Sequence, residues 1–432
     1  MWYDRKKEPG GRFSWLRFQI KKYKVRKRSR KNRPPGAEKE VKKYMDKKAI
    51  NEVRKLFDKN DCRVDRMYGC YVNEQKERIA ELKDSFHSLQ DEELFKYCEI
   101  FKKAVSGRVG RTLFNMEFPL AEEKEGGHQP ELYALLKSGL KDPELVDAFF
   151  TKVIETYRTS EKYLILLVHG AYDIPGRTSD GLSMADASTD VYEFMELSIC
   201  PVKLLRDGLC WDAAEKAFFS RTEDWAVQKP EVGMLYPAFN ERNTDIHAAL
   251  WYAKDDKSRH EELSEALLGF APPRGQAAEK DLFREVIEVT LGGSCDYDSV
   301  VKINDALNQM VAEGKDAGEE VMIDRHDIRR ILYDHAEAEE DGEARQRLEE
   351  ALDRFDENYD QIVGEEEPRM LAENVAEPKK LSIRTDDLKL DVLTEAAELI
   401  ETRIIDGQEY FLIPVTDSVT VNGIRIRRKE AE

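Results

Sequence analysis

Tyr163-Leu164-Ile165-Leu166-Leu167-Val168 decides how this chain folds. The run is short, continuously apolar and β-prone, with no polar alternation. A strand without a polar face is covered on both sides, so residues 163–168 read as a central buried strand. Upstream, Asp142-Pro143 marks a helix start, a cap followed by proline at the first helical position. That helix carries Val146, Phe149, Phe150, Val153 and Tyr157. Downstream, residues 170–188 form a polar loop rich in Gly, Ser and Asp, and residues 191–200 return to strand until Pro201.

Further out, residues 47–57 form an amphipathic helix with Ile50, Val53, Leu56 and Phe57 on one face. Residues 62–72 read as a strand with a bulge at Gly69. Ser88 and Asp91 resemble a capping box for a helix ending near Gly107. Residues 112–120, 233–239 and 246–253 read as strands, and residues 209–219 as short strands or a hairpin around Asp212. Residues 45–256 are therefore expected to be an α+β domain with a mixed or mainly antiparallel sheet. Helical patterns then run through 259–269, 279–291, 298–313, 325–335 and 343–358, with acidic outer faces. Residues 257–376 form an acidic helical region, with a short helix between Pro368 and Pro378. Residues 377–432 read as a small β module. Its strongest signal is Asp406-Gly407 between two β-prone runs, repeated by Asn422-Gly423.

The net charge of −18 is a sum over unlike parts. Residues 1–44 hold 17 Lys/Arg against 4 Asp/Glu, so the other 388 residues carry −31. This basic leader reads as disordered, or as an extension of the gene ahead of a start at Met45. Its cluster between Lys21 and Arg33 could serve as a nucleic-acid arm. The acidic body repels phosphate backbones. No stretch reaches the length of a membrane span, and the leader lacks the apolar core of a signal peptide. Six scattered cysteines, with no C-x-x-C pair, fit small buried thiols in a reducing, cytoplasmic setting.

No phosphate-binding, dinucleotide or hydrolase motif is present. The nearest to a phosphate loop is Gly107-Arg108-Val109-Gly110-Arg111, which lacks the Lys-Ser/Thr ending. Two loops are dense in reactive groups: residues 169–180, with His169, Asp173 and Asp180, and residues 240–247, with Glu241, Asp245 and His247. Two histidines with carboxylates suit a divalent metal or an acid/base pair; His169, Asp245 and His247 are the metal candidates. The plainer account is turn chemistry for the Asp and Asn and sheet hydrogen bonding for the His.

Several stretches carry a resemblance: Gly69-Cys70-Tyr71-Val72, Tyr163-Leu164-Ile165-Leu166-Leu167, Ala171-Tyr172-Asp173-Ile174-Pro175-Gly176, Ser198-Ile199-Cys200-Pro201-Val202, Pro237-Ala238-Phe239-Asn240 and Thr244-Asp245-Ile246-His247. Over residues 45–428 the chain resembles a bacterial family of clostridial-type Firmicutes known as domain of unknown function 4317. The resemblance brings no reaction, cofactor or partner, so it assigns no catalytic residue. The sequence therefore points first to a non-catalytic binding or scaffolding protein with protein partners. A metal-dependent or acid/base hydrolase built on the two loops is the alternative, and a nucleic-acid role through the leader the third.

Overall fold

The computed structural model describes residues 45–83, 86–177, 183–184, 190–205, 208–212, 215–221, 223–317, 320–364, 368–414, 419–421 and 424–426. These belong to one compact unit. The leader, the Glu365–Glu367 cluster and the Asn422-Gly423 turn lie outside the described residues.

Eight strands build the main sheet: β1 (Val64–Val72), β2 (Arg78–Leu82), β3 (Leu113–Glu117), β4 (Lys162–Ile174), β5 (Asp190–Leu205), β6 (Asp224–Val227), β7 (Val232–Tyr236) and β8 (Ala248–Ala253). Their order is β2-β1-β4-β5-β7-β8-β3, and β6 pairs with β5 on the edge that β7 also uses. Every one of these pairings is antiparallel. The fold is α+β.

Tyr163, Ile165 and Leu167 enter one hydrophobic layer, and Leu164, Leu166 and Val168 enter the other. The first layer is completed by α3 (His128–Lys137), α4 (Pro143–Thr156) and α5 (Glu261–Leu268). The second is completed by α1 (Lys47–Lys55) and α2 (Asp91–Ala104). Helices on both faces explain a continuous apolar run in an antiparallel sheet, where one polar face is the common pattern. α4 starts as its sequence dictates, with Asp142 Oδ1 accepting from the Glu144 and Leu145 amides.

Two local readings need correction. β1 is irregular between Val64 and Arg66 against β4 and between Tyr71 and Val72 against β2, not at Gly69. Gly69 is small because a Cβ there would meet Leu82 Cδ1 at 2.9 Å. Ser88 does not open α2; Gln90 is its N-cap, without a side-chain cap bond, and Asp91, Glu92 and Glu93 fill the first turn. The Gly107–Arg111 segment is a packed turn. Gly110, at φ +74°, lies against Leu371 and Asn374.

The next region holds α6 (Gln276–Leu291), α7 (Tyr297–Ala317), α8 (Arg325–Ala338), α9 (Gly342–Leu352), α10 (Phe355–Val363) and the short α11 (Ala372–Val375) around a core of their own. Three hairpins follow: Lys380–Arg384 with Lys389–Leu393, Glu401–Ile405 with Gln408–Leu412, and Val419–Val421 with Ile424–Ile426. Among the described residues each pairs only within itself. Leu381 and Ala397 pack on Val301 of α7, and Tyr297 donates to the Ala397 carbonyl at 2.9 Å.

Candidate functional site

The two polar loops do meet in space, but through residues that sequence reasoning did not select. Residues 238–245 fold into a small hairpin, Ala238–Asn240 against Asn243–Asp245. Its two-residue turn is Glu241 (φ +47°) and Arg242 (φ +65°), both left-handed. Such a turn usually takes Asn or Gly, because a Cβ is costly there. Arg242 uses the conformation to reach out. Its Nη1 donates to Glu52 Oε1 of α1 at 2.5 Å, and its Nη2 to the Pro175 carbonyl at 2.7 Å. Tyr172 also donates to Glu52, at 3.2 Å. One guanidinium thus joins α1, the end of β4 and the hairpin.

The candidate groups divide among separate partners. His169 is buried, with Nδ1 2.8 Å from Asp65 Oδ1, in the β1 bulge. His247 is exposed, with Nδ1 2.8 Å from Glu123 Oε1. Asp245 accepts from Asn240 Nδ2 and from the His247 amide. Asp173 pairs with Val191 in the β4–β5 ladder. Glu241 occupies the turn, and Asp180 lies outside the described residues. β4, β5, β7 and β8 are successive neighbours. Three inter-strand steps of about 4.8 Å put roughly 14 Å between His169 and the strand that His247 precedes. Among the described residues, no three His, Cys, Asp or Glu side chains are grouped to hold a metal ion.

A second polar cluster had no sequence motif. Glu231, just before β7, accepts from Ser258 Oγ at 3.0 Å and from the Tyr157 hydroxyl at 3.3 Å. His260 Nε2 stands 3.9 Å away, and its ring packs 4.6 Å from that of Tyr157. The imidazole is the main reason the Glu231 carboxyl is held down, to about 2; burial opposes it and Ser258 helps. A carboxylate so acidic cannot donate a proton near neutrality. It also receives the serine hydroxyl directly, so the imidazole does not stand between serine and carboxylate as the base that would make a nucleophile. The cluster staples the ends of α4, β7 and α5 together. Its sequence signal was weak: a lone His in Ser258-Arg259-His260 and a glutamate 29 residues earlier.

Glu196, in the middle of β5, is fully buried. Burial pushes its carboxyl far up, against the Ser198 hydroxyl bond that lowers it. The carboxyl lies inside the sheet, out of reach of a substrate. A crevice of about 400 Å³ between α3 and α4 is lined by Leu132, Leu135, Leu145 and Phe149, with the Glu131–Lys152 ion pair beside it.

What this surface does present is apolar. Leu388, Leu393, Leu399, Ile404, Ile405, Tyr410, Phe411, Ile413 and Ile424 are exposed around the last three hairpins, with Ile404 at 79% and Ile424 at 71%. No helix among the described residues is long and apolar enough to cross a membrane.

An antiparallel sheet covered by helices on both faces, followed by a helical region and paired hairpins, defines an α+β protein. The chain belongs to the family described as Domain of unknown function (DUF4317), which matches residues 45–424. No curated protein matches it.

Proposed function

We propose that the chain is a cytoplasmic, non-catalytic binding protein, and that residues 377–426 hold its docking surface for a protein partner. The hairpins carry the reading. An isolated two-stranded hairpin is marginal in water, and among the described residues these three pair only with themselves. Glu401–Ile405 and Gln408–Leu412 expose apolar side chains on both faces, Ile404 and Phe411 on one, Ile405 and Tyr410 on the other. Both outer edges keep free backbone donors and acceptors among the described pairings. A partner that adds a strand to an edge and covers one face would satisfy both needs. His169, His247 and Asp245 support the same reading, since each is engaged in a local pair.

Ile404→Lys places a charge on the exposed face without touching a buried residue. Cross-linking and affinity purification from the native host should map partner cross-links to residues 401–412. The variant should recover about tenfold less of that partner, with its thermal unfolding unchanged. Equal recovery by a folded variant would remove the hairpins as the docking surface.

A further inference from the structure

The sharpest unassigned chemistry lies where the turn after α1 meets α2. Cys62, in that turn, is half-buried, and Cys98, on α2, is 2% exposed. Both thiols pack into the hydrophobic layer beneath the second face of the sheet, and each is the strongest influence on the other. Contacts on either side hold this register: Lys59 Nζ sits 5.3 Å over the Phe95 ring, and Lys102 pairs with Asp58. Phe95, Cys98 and Lys102 follow one another at helical spacing, so one face of α2 meets the turn at three points. We propose that Cys62 and Cys98 form a reversible disulfide, with a low-molecular-weight disulfide as the oxidant, that ties the turn to α2.

The two sulfurs have different tasks. The neighbouring Cys62, and then burial, raise the Cys98 thiol, which is 2% exposed, whereas Cys62 is the more exposed of the two. Cys62 is therefore the attacking thiolate. It forms a bond to one sulfur of the small disulfide, and the other half leaves with the electron pair as a thiolate. Cys98 then gives its proton to solvent and attacks the Cys62 sulfur, expelling the second half as a thiolate. Two protein thiols are oxidised to one disulfide, and one small disulfide is reduced to two thiols. The tie braces the end of α1, the helix whose Glu52 holds Arg242. It gives this corner of the sheet a redox-dependent stiffness.

The full chain is incubated with oxidised glutathione, blocked with N-ethylmaleimide, digested and mapped by mass spectrometry. The expected product is a Cys62–Cys98 cross-linked peptide pair that dithiothreitol releases. Cys98→Ser should stop at Cys62 carrying glutathione, and Cys62→Ser should leave Cys98 unoxidised. Cys62 is the half-buried member, so its variant remains informative if Cys98→Ser fails to fold. Glutathione retained on Cys62 of the unaltered chain, or both cysteines found alkylated, overturns the proposal.

Discussion

Arg242 shows how a single side chain can justify a costly backbone. A left-handed conformation costs an L-residue roughly 1–2 kcal/mol, and Glu241 and Arg242 both adopt it. Glu241 gains no contact that offsets this with a distant element, whereas Arg242 bonds Glu52 and the Pro175 carbonyl. Replacing each by glycine should therefore have opposite results. Glu241→Gly relieves the strain and should leave stability unchanged or raised by up to about 1 kcal/mol. Arg242→Gly relieves the same strain but leaves the partly buried Glu52 without its guanidinium, with the Tyr172 hydroxyl still donating to it, and should cost about 1–3 kcal/mol. Urea unfolding of both variants measures the difference; equal effects would show that the Arg242 clamp stabilises nothing. Residue identities made these loops legible as polar, turn-rich segments. They could not reveal the clamp, because Glu52 and Arg242 are 190 residues apart and no spacing rule links them. The same blindness hid Glu231 and His260, and it left His169 and His247 looking like a pair when each has its own carboxylate.

Between elements, the seam joining the sheet to the helical region is built on Glu279 of α6. Its Oε2 accepts from Asn374 Nδ2 at 2.8 Å and from the Leu371 amide at 3.2 Å, while Asn374 also donates to the Gly110 carbonyl. Burial raises the Glu279 carboxyl from 4.5 to about 7, against the two hydrogen bonds that lower it. The folded chain thus keeps a proton that the unfolded chain loses near 4.5. Unfolding releases that proton, so stability from this group is full below about 4.5 and falls as pH rises through about 7. The loss should reach about 3 kcal/mol above pH 7. Glu279→Gln keeps an acceptor and cannot ionise. Thermal melts should coincide with the unaltered chain at pH 4.5 and favour the variant at pH 8.5; parallel curves would sink the assignment. Elements with strong local signals were legible. Residues 163–168, the Asp142-Pro143 start and the Asp406-Gly407 turn all appear where their chemistry puts them. Among those that were not, β2 and α3 show why. β2 is a charged edge strand, Arg78-Ile79-Ala80-Glu81-Leu82, and edges favour charge over apolar alternation. α3 has only Gly127 at its N-cap and a proline near its start, so Leu132, Leu135 and Leu136 carried its whole signal.

Across the whole molecule, stability should be graded by how each part finds its core. β4 and β5 have a strand on both edges and helices on both faces, so their amides open only with global unfolding. The helices from α6 to α11 share a separate core and can open without dismantling the sheet. The C-terminal hairpins depend on their own turns, on Leu381 and Ala397 against Val301, and on the Tyr297–Phe411 ring contact at 5.5 Å. Hydrogen exchange followed by mass spectrometry should therefore rank residues 163–168 and 194–200 slowest, α6–α8 intermediate and residues 401–412 fastest. Adding the partner should slow residues 401–412 selectively, because a strand added to an edge caps amides that water otherwise reaches. Residues 401–412 exchanging as slowly as β4 in the isolated chain would mean that the hairpins already bury their apolar faces. They would then have no unmet need for a partner, and the docking surface would have to be sought elsewhere on the molecule.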